Sequence, residues 1–107
     1  MQIHIIKTPL FIKLSKDILS PEEMNEFQED IAANPDKGTV IKGGKGLRKI
    51  RIAISGKGKS GGARIIYYLK KSDSVVLLLY IYKKNKQADL TKKQAEALIK
   101  IVGEYYE

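Results

Sequence analysis

The sequence predicts an α+β domain, an antiparallel-rich sheet of about four strands with two N-terminal helices and one C-terminal helix. Three observations predict it. Two proline-led helix starts lie in the first 21 residues, three strand-like stretches follow one another between Leu47 and Lys83, and the chain closes on an amphipathic helical stretch. With 107 residues, 43% of them hydrophobic, the chain suffices for one core and one domain, residues 1–107, and not for two.

The elements follow in order. "QIHII" reads as a short opening strand. In "TPLFIKLSK", Thr8 is placed to cap a helix whose first position is Pro9. "SPEE" repeats the device: Ser20 caps, Pro21 starts, and Glu23 completes a capping box. Met24, Phe27 and Ile31 form this second helix's apolar stripe, and "NPDKG" ends it. In "RKIRIAI", Ile50, Ile52 and Ile54 alternate with Lys49 and Arg51, the period of a half-buried strand. The isoleucines go to the core, so Lys49 and Arg51 share the opposite face. "ARIIYYLKK" and "SVVLLLYIY" are two further strands, joined by "KKSDS" into an antiparallel hairpin. The third is apolar on both faces and so belongs inside the sheet. In "LTKKQAEALIKIVGEYY", Thr91 and Gln94 form another capping box, and Ala95, Leu98, Ile99 and Val102 a buried stripe. The reading places the helices over one sheet face and a cationic surface on the other.

Composition narrows the function. Lys and Arg number 20 against 12 Asp and Glu, a formal net charge of +8. Eight cations and no acid lie between Lys42 and Arg64 (Lys42, Lys45, Arg48, Lys49, Arg51, Lys57, Lys59, Arg64), and the acid-free interval runs from Lys37 to Ser72. Such a field attracts polyanions, nucleic acid first; the plainer reading is a solvated basic face that aids solubility. There is no cysteine, hence neither a disulfide nor a thiolate metal site. The start lacks a signal-peptide core, and the longest apolar run, Val75–Tyr82, is far short of a membrane span, so no membrane partner and a cytoplasmic location are expected.

Two phosphate-binding fingerprints fail on context. Gly56, Gly58 and Gly61 satisfy G-x-G-x-x-G, but a strand follows where a dinucleotide fold needs a helix. "GKS" at 58–60 echoes a P-loop, yet the glycine required five positions before Gly58 is Ala53. His4 is the only histidine, in a strand, where packing or surface placement accounts for it. No metal-ligand spacing occurs, and no cofactor is expected. The carboxylates Glu22, Glu23, Glu26, Glu29 and Asp30 form a solvated helix face. Any chemistry falls to Lys, Arg and Tyr.

The run K-I-R-I, then G-G-x-R-I-I-Y-Y, then Y-K-K-N-x-x-x-D-L, in this order and spacing, resembles the RelE/ParE superfamily of toxins, specifically the HigB-like branch of RelE. The likeness spans nearly the whole chain. It implies a type II toxin–antitoxin protein, a ribosome-dependent mRNA interferase that cleaves mRNA in the 30S A site beside 16S rRNA and is neutralised by a cognate antitoxin. Metal-independent cleavage of this kind needs a base for the 2′-hydroxyl, donors for the charged phosphorane and an acid for the 5′-oxygen.

Carried over by motif, Lys49 and Arg51 occupy the paired basic positions, ~6.6 Å apart along one strand face. Lys49 is the candidate base, Arg51 a phosphate partner, and Arg64 the transition-state arginine, whose fork suits non-bridging oxygens. Lys84 stands where the family often has an arginine near the leaving group, and a lysine there can donate a proton. Arg51 and Arg64 have the alternative of plain phosphate positioning. Arg48, Lys57, Lys59, Lys83 and Lys86 are candidate RNA-docking residues. Some relatives place a tyrosine six residues after the last basic residue; here it is Leu90. Tyr68 and Tyr82 remain as stacking or core residues. The rival function is a non-catalytic RNA- or ribosome-binding module, a degenerate toxin.

Overall fold

A prolyl ring fixes φ near the helical value and carries no N–H, so it is suited to the first helical position. Both N-terminal helices begin that way. The computed structural model describes residues 2–54 and 62–106. Strand β1 (His4–Lys7) leads into α1 (Pro9–Ser15) and α2 (Pro21–Ala33). The Thr8 hydroxyl accepts from the Phe11 N–H at 3.2 Å and donates to the Leu78 carbonyl at 2.9 Å, so one buried side chain caps a helix and ties it to the sheet. At α2, Glu23 N–H donates to Ser20 Oγ at 3.1 Å and Ser20 N–H to Glu23 Oε1 at 2.8 Å, the reciprocal box the sequence predicts.

The remaining elements are β2 (Thr39–Val40), β3 (Leu47–Ile52), β4 (Ala63–Lys70), a 3-10 turn (Lys71–Asp73), β5 (Val75–Lys83) and α3 (Lys92–Tyr106). The sheet has five strands in the order β1-β5-β4-β3-β2. β1 runs parallel to β5 and every other pair is antiparallel. The strand missed by the sequence reading is β2, two residues with no periodicity of their own, held by pairing Thr39 with Lys49 and Val40 with Arg48.

The expected layering needs correction, because helices lie on both faces. Phe11, Phe27 and Ile31 of α1 and α2 pack with Ile50, Ile65, Tyr67 and Leu78 in one buried cluster. Leu98 of α3 packs with Leu47, Ile66, Leu77 and Leu79 in another. β4 and β5 bury apolar side chains on both faces, so a helix on one face alone would have left about half of them in water. A bulge in β5 adds to the second cluster: Ile66 faces Tyr80 and Tyr67 faces Leu78, leaving Leu79 as an extra residue.

Tyr67 is fully buried, its hydroxyl accepting from Gly38 N–H at 2.8 Å and donating to the Pro35 carbonyl at 2.9 Å. A Cβ at Gly38 would stand 2.7 Å from this ring, which is why the turn closing onto β2 needs glycine there. Burial, ahead of every other influence, pushes the Tyr67 phenol above its usual pKa. Tyr67→Phe strands a buried N–H and a part-buried carbonyl, and we expect a loss of about 1–3 kcal/mol in urea unfolding, with the same spectroscopic fold.

Candidate functional site

β3 and β4 change character along one face. On β3 that face runs from Leu47, buried in the cluster with Leu98, to Lys49 and then Arg51; on β4 it runs from Tyr68 and Ile66 to Arg64. The α3 helix therefore covers the apolar half of the face, and the cations occupy the other half. Pairing sets Arg51 directly opposite Arg64, and Arg64 opposite Tyr82 on the next strand. β5 then delivers Lys84, whose backbone N–H donates to the Gly62 carbonyl at 2.9 Å.

One cavity of about 370 Å³ is lined by Thr39, Lys49, Arg51, Arg64, Lys84, Ala88 and Asp89. It thus gathers all four residues predicted to carry chemistry. Arg64 is the most confined, 9% exposed, and the hydrogen bond recorded for its guanidinium runs 3.4 Å to the Ala63 carbonyl. Among the described residues no carboxylate pairs with Arg64, and Arg51 stands directly opposite it, so an anion entering the space in front of both arginines is favoured. That space is open to solvent on the side of Arg51, which is exposed.

The sequence reading missed Asp89, the carboxylate in this cavity. Its Oδ1 accepts from Lys49 Nζ at 3.0 Å and from its neighbour's backbone, Leu90 N–H, at 2.9 Å. The Lys49 hydrogen bond first, and the Leu90 N–H second, hold its carboxyl below the usual carboxylate range. The Y-K-K-N-x-x-x-D-L segment contained this signal, but only the return of the 84–90 segment over β3 brings Asp89 to Lys49. Lys84 Nζ donates to the Ala88 carbonyl at 3.3 Å, a second tie between that segment and the cavity. Replacing Lys49 by Ala should raise the Asp89 titration midpoint toward that of an ordinary aspartate, read by ¹³C carboxyl NMR; an unmoved midpoint would contradict the pairing. The depressed value keeps Asp89 ionised down through mildly acidic pH, so the Lys49 contact is lost only as pH falls through it.

The remaining predicted residues are not brought together. Arg48 points to the other face of β3, where Nη1 donates to the carbonyls of Gly38 at 2.8 Å and Asp36 at 3.1 Å and so braces the turn before β2. Lys83 ends β5 and Lys86 lies exposed in the turn after it. Tyr68 packs against Tyr106, ring centroids 5.9 Å apart, and Tyr82, opposite Arg64 on β5, is buried. Both tyrosines belong to the second core cluster, which makes packing their visible role. Burial first, and the Asp89 charge next, push the Tyr82 phenol up. Leu90 packs on the same cluster. Lys57, Lys59 and the glycines Gly56, Gly58 and Gly61 lie outside the described residues. His4 is exposed on edge strand β1. Among the described residues, no three His, Asp or Glu side chains stand together as a metal would require, and no helix is long and apolar enough to cross a membrane.

Comparison with known proteins bears on this arrangement. A solved structure of the E. coli toxin RelE, a double arginine-to-alanine mutant in the free state, superposes with a TM-score of 0.64. The alignment covers 95% of this chain and 99% of that one at 14% identity, a likeness of fold. The family described as the RelE toxin of the RelE / RelB toxin-antitoxin system matches residues 3–107. With so much of its length matched, the chain belongs to the RelE family of toxins from toxin–antitoxin systems.

Proposed function

We propose that the protein is a ribosome-dependent mRNA interferase, an endoribonuclease that cleaves mRNA in the A site and is neutralised by a cognate antitoxin. The observation that carries the reading is the buried residue Arg64, which among the described residues pairs with no carboxylate and lines one cavity with Lys49, Arg51 and Lys84. A phosphodiester supplies the missing negative charge, and two arginine forks on adjacent strands match its non-bridging oxygens.

The chemistry follows from the groups present. The ribose 2′-hydroxyl attacks the adjacent phosphorus, and its proton passes to Lys49. The P–O5′ bond breaks as Lys84 protonates the departing oxygen, leaving a 2′,3′-cyclic phosphate and a 5′-hydroxyl. Arg51 and Arg64 hold the extra charge of the phosphorane between these events. To accept a proton Lys49 must present a lone pair, whereas in the free chain its ammonium donates to Asp89. The ion pair must break and the ammonium must give up a proton to solvent before Lys49 can take the one from the 2′-hydroxyl. No histidine–carboxylate pair assists, so in-line orientation of the mRNA by the ribosome has to supply much of the rate; orientation contributes roughly 7–11 kcal/mol in favourable cases.

Primer extension on translated and on ribosome-free mRNA tests the reading. Cuts should accumulate within translated codons and be nearly absent from free RNA. Equal cutting of both would remove the ribosome from the mechanism. Translation arrest without any cuts would favour the rival function, a degenerate toxin that only binds.

A further inference from the structure

The 84–90 segment brings Lys84, Ala88 and Asp89 to the cavity, yet all three are exposed, and the pair with Lys49 leaves 70% of the Asp89 side chain in water. A pair so exposed holds its own geometry only weakly. At its first end the segment is tied by the Lys84 N–H to the Gly62 carbonyl. Two glutamine amides tie its far end. Gln87 Nε2 donates to Gln94 Oε1 at 2.9 Å, and Gln94 Nε2 faces Gln87 Oε1 at 3.5 Å, so the two amides pair reciprocally. Gln94, in the first turn of α3, also accepts from the Thr91 N–H at 3.0 Å and donates to the Tyr80 hydroxyl of β5 at 3.0 Å. Two bonds thus arrive at Oε1 and two leave Nε2, which leaves this amide a single orientation. Gln87 Nε2 donates in turn to the Asp89 carbonyl at 2.9 Å. Hydrogen bonds therefore run from β5 through Tyr80, Gln94 and Gln87 to the backbone of Asp89.

We propose that Gln87 and Gln94 are positioning residues for the cleavage reaction: their paired amides fix the far end of the 84–90 segment, and so fix where the Lys84 ammonium rests. The inference rests on the reading of the cavity as a ribonuclease site. Lys84 Nζ donates to the Ala88 carbonyl at 3.3 Å, and Ala88 immediately precedes the residue whose carbonyl Gln87 holds. A lysine on an exposed turn has many rotamers, and an ammonium without a seat is spread over all of them. The Ala88 carbonyl gives it one seat, on the lining of the cavity. The same tie keeps Asp89 within reach of Lys49. Helix capping does not account for the arrangement. Thr91 and Gln94 satisfy the start of α3 between themselves, and the bonds to Gln87 and Tyr80 add nothing to that cap. Neither glutamine lines the cavity, so both act through the residues that do.

Gln87→Ala is the test, because it cuts the link to Asp89 and leaves the Thr91–Gln94 cap and both core clusters intact; a thermal midpoint close to wild type checks that. In ¹³C carboxyl NMR of the free protein, the Asp89 midpoint should rise toward that of an ordinary aspartate as the segment leaves Lys49. On ribosomes carrying bound mRNA the single-turnover rate should fall about tenfold, a fraction of the roughly 10²–10⁴-fold that a positioned acid supplies. Half-saturation should stay where it is, because Arg51 and Arg64 keep the phosphate. Removal of Asp89 by itself eases deprotonation of Lys49, which limits the net loss. A message with sulfur in place of the scissile 5′-oxygen has a leaving group that needs no proton, and the variant should cut it as fast as wild type. Gln94→Leu should act alike, and the double variant should lose no more than Gln94→Leu alone. An unmoved Asp89 midpoint, or a rate loss that persists on the sulfur-substituted message, would overturn the positioning role while sparing the reading of the cavity. Failure of the wild type to cut either message would bring down that reading and the role with it, and the Asp89 midpoint would then decide only whether the amide pair places the segment.

Discussion

Arg64→Ala should lose about 10²–10³-fold in cleavage of ribosome-bound mRNA, the scale seen when one preorganised donor to a charged transition state is removed. The loss should fall on the rate of the bound complex more than on the concentration needed for half-saturation, because Lys49, Arg51 and Lys84 remain to hold the phosphate. Arg64→Lys keeps the charge but not the planar fork, and should recover only part of the rate. Stability supplies the internal control. Arg64 is 9% exposed, lies opposite Arg51, and among the described residues pairs with no carboxylate, so in the free protein the two cations face each other. Removing Arg64 relieves their repulsion, and the thermal midpoint should hold or rise. Cleavage retained within tenfold, in a variant that remains folded, would show that Arg64 is not part of the chemistry.

Phe11→Ala should cost about 3–5 kcal/mol of folding stability, the usual range for a fully buried phenyl group. Phe11 has no exposed surface and joins α1 to the cluster formed by Ile50, Ile65, Tyr67 and Leu78. Its N–H also donates to the Thr8 hydroxyl that fixes the helix start to β5, so the cavity cannot close by tilting α1 without breaking that cap. A domain of this size is stable by about 5–15 kcal/mol, and the loss would consume a large share. Denaturant unfolding should show a lower midpoint with an unchanged slope. A loss under 1 kcal/mol would mean that α1 repacks freely, and that the two-faced core is looser than its burial indicates.

How far the sequence could be read depended on distance along the chain. The helix starts at Thr8-Pro9, Ser20-Pro21 and Thr91 were legible because a cap satisfies donors within three residues of itself. The alternation Lys49, Ile50, Arg51 was legible because a strand sends successive side chains to opposite faces, whatever its neighbours. The gathering of Lys49, Arg51, Arg64 and Lys84 was anticipated by family resemblance and parity, and the cavity contains all four.

What remained hidden was set by partners far away in sequence. Arg48 looked like its neighbours, but its Nη1 donates to the Gly38 and Asp36 carbonyls on the opposite face. Asp89 carried no role of its own within Y-K-K-N-x-x-x-D-L, yet it meets Lys49 forty positions away. Strand β2 exists only because β3 lies beside it. Residue type and short-range spacing thus determined the elements, their faces and the sign of the site. Tertiary structure decided which face each helix covers, which cations share one cavity, and which carboxylate enters it, because those depend on free energies of burial and pairing between segments that meet only after folding.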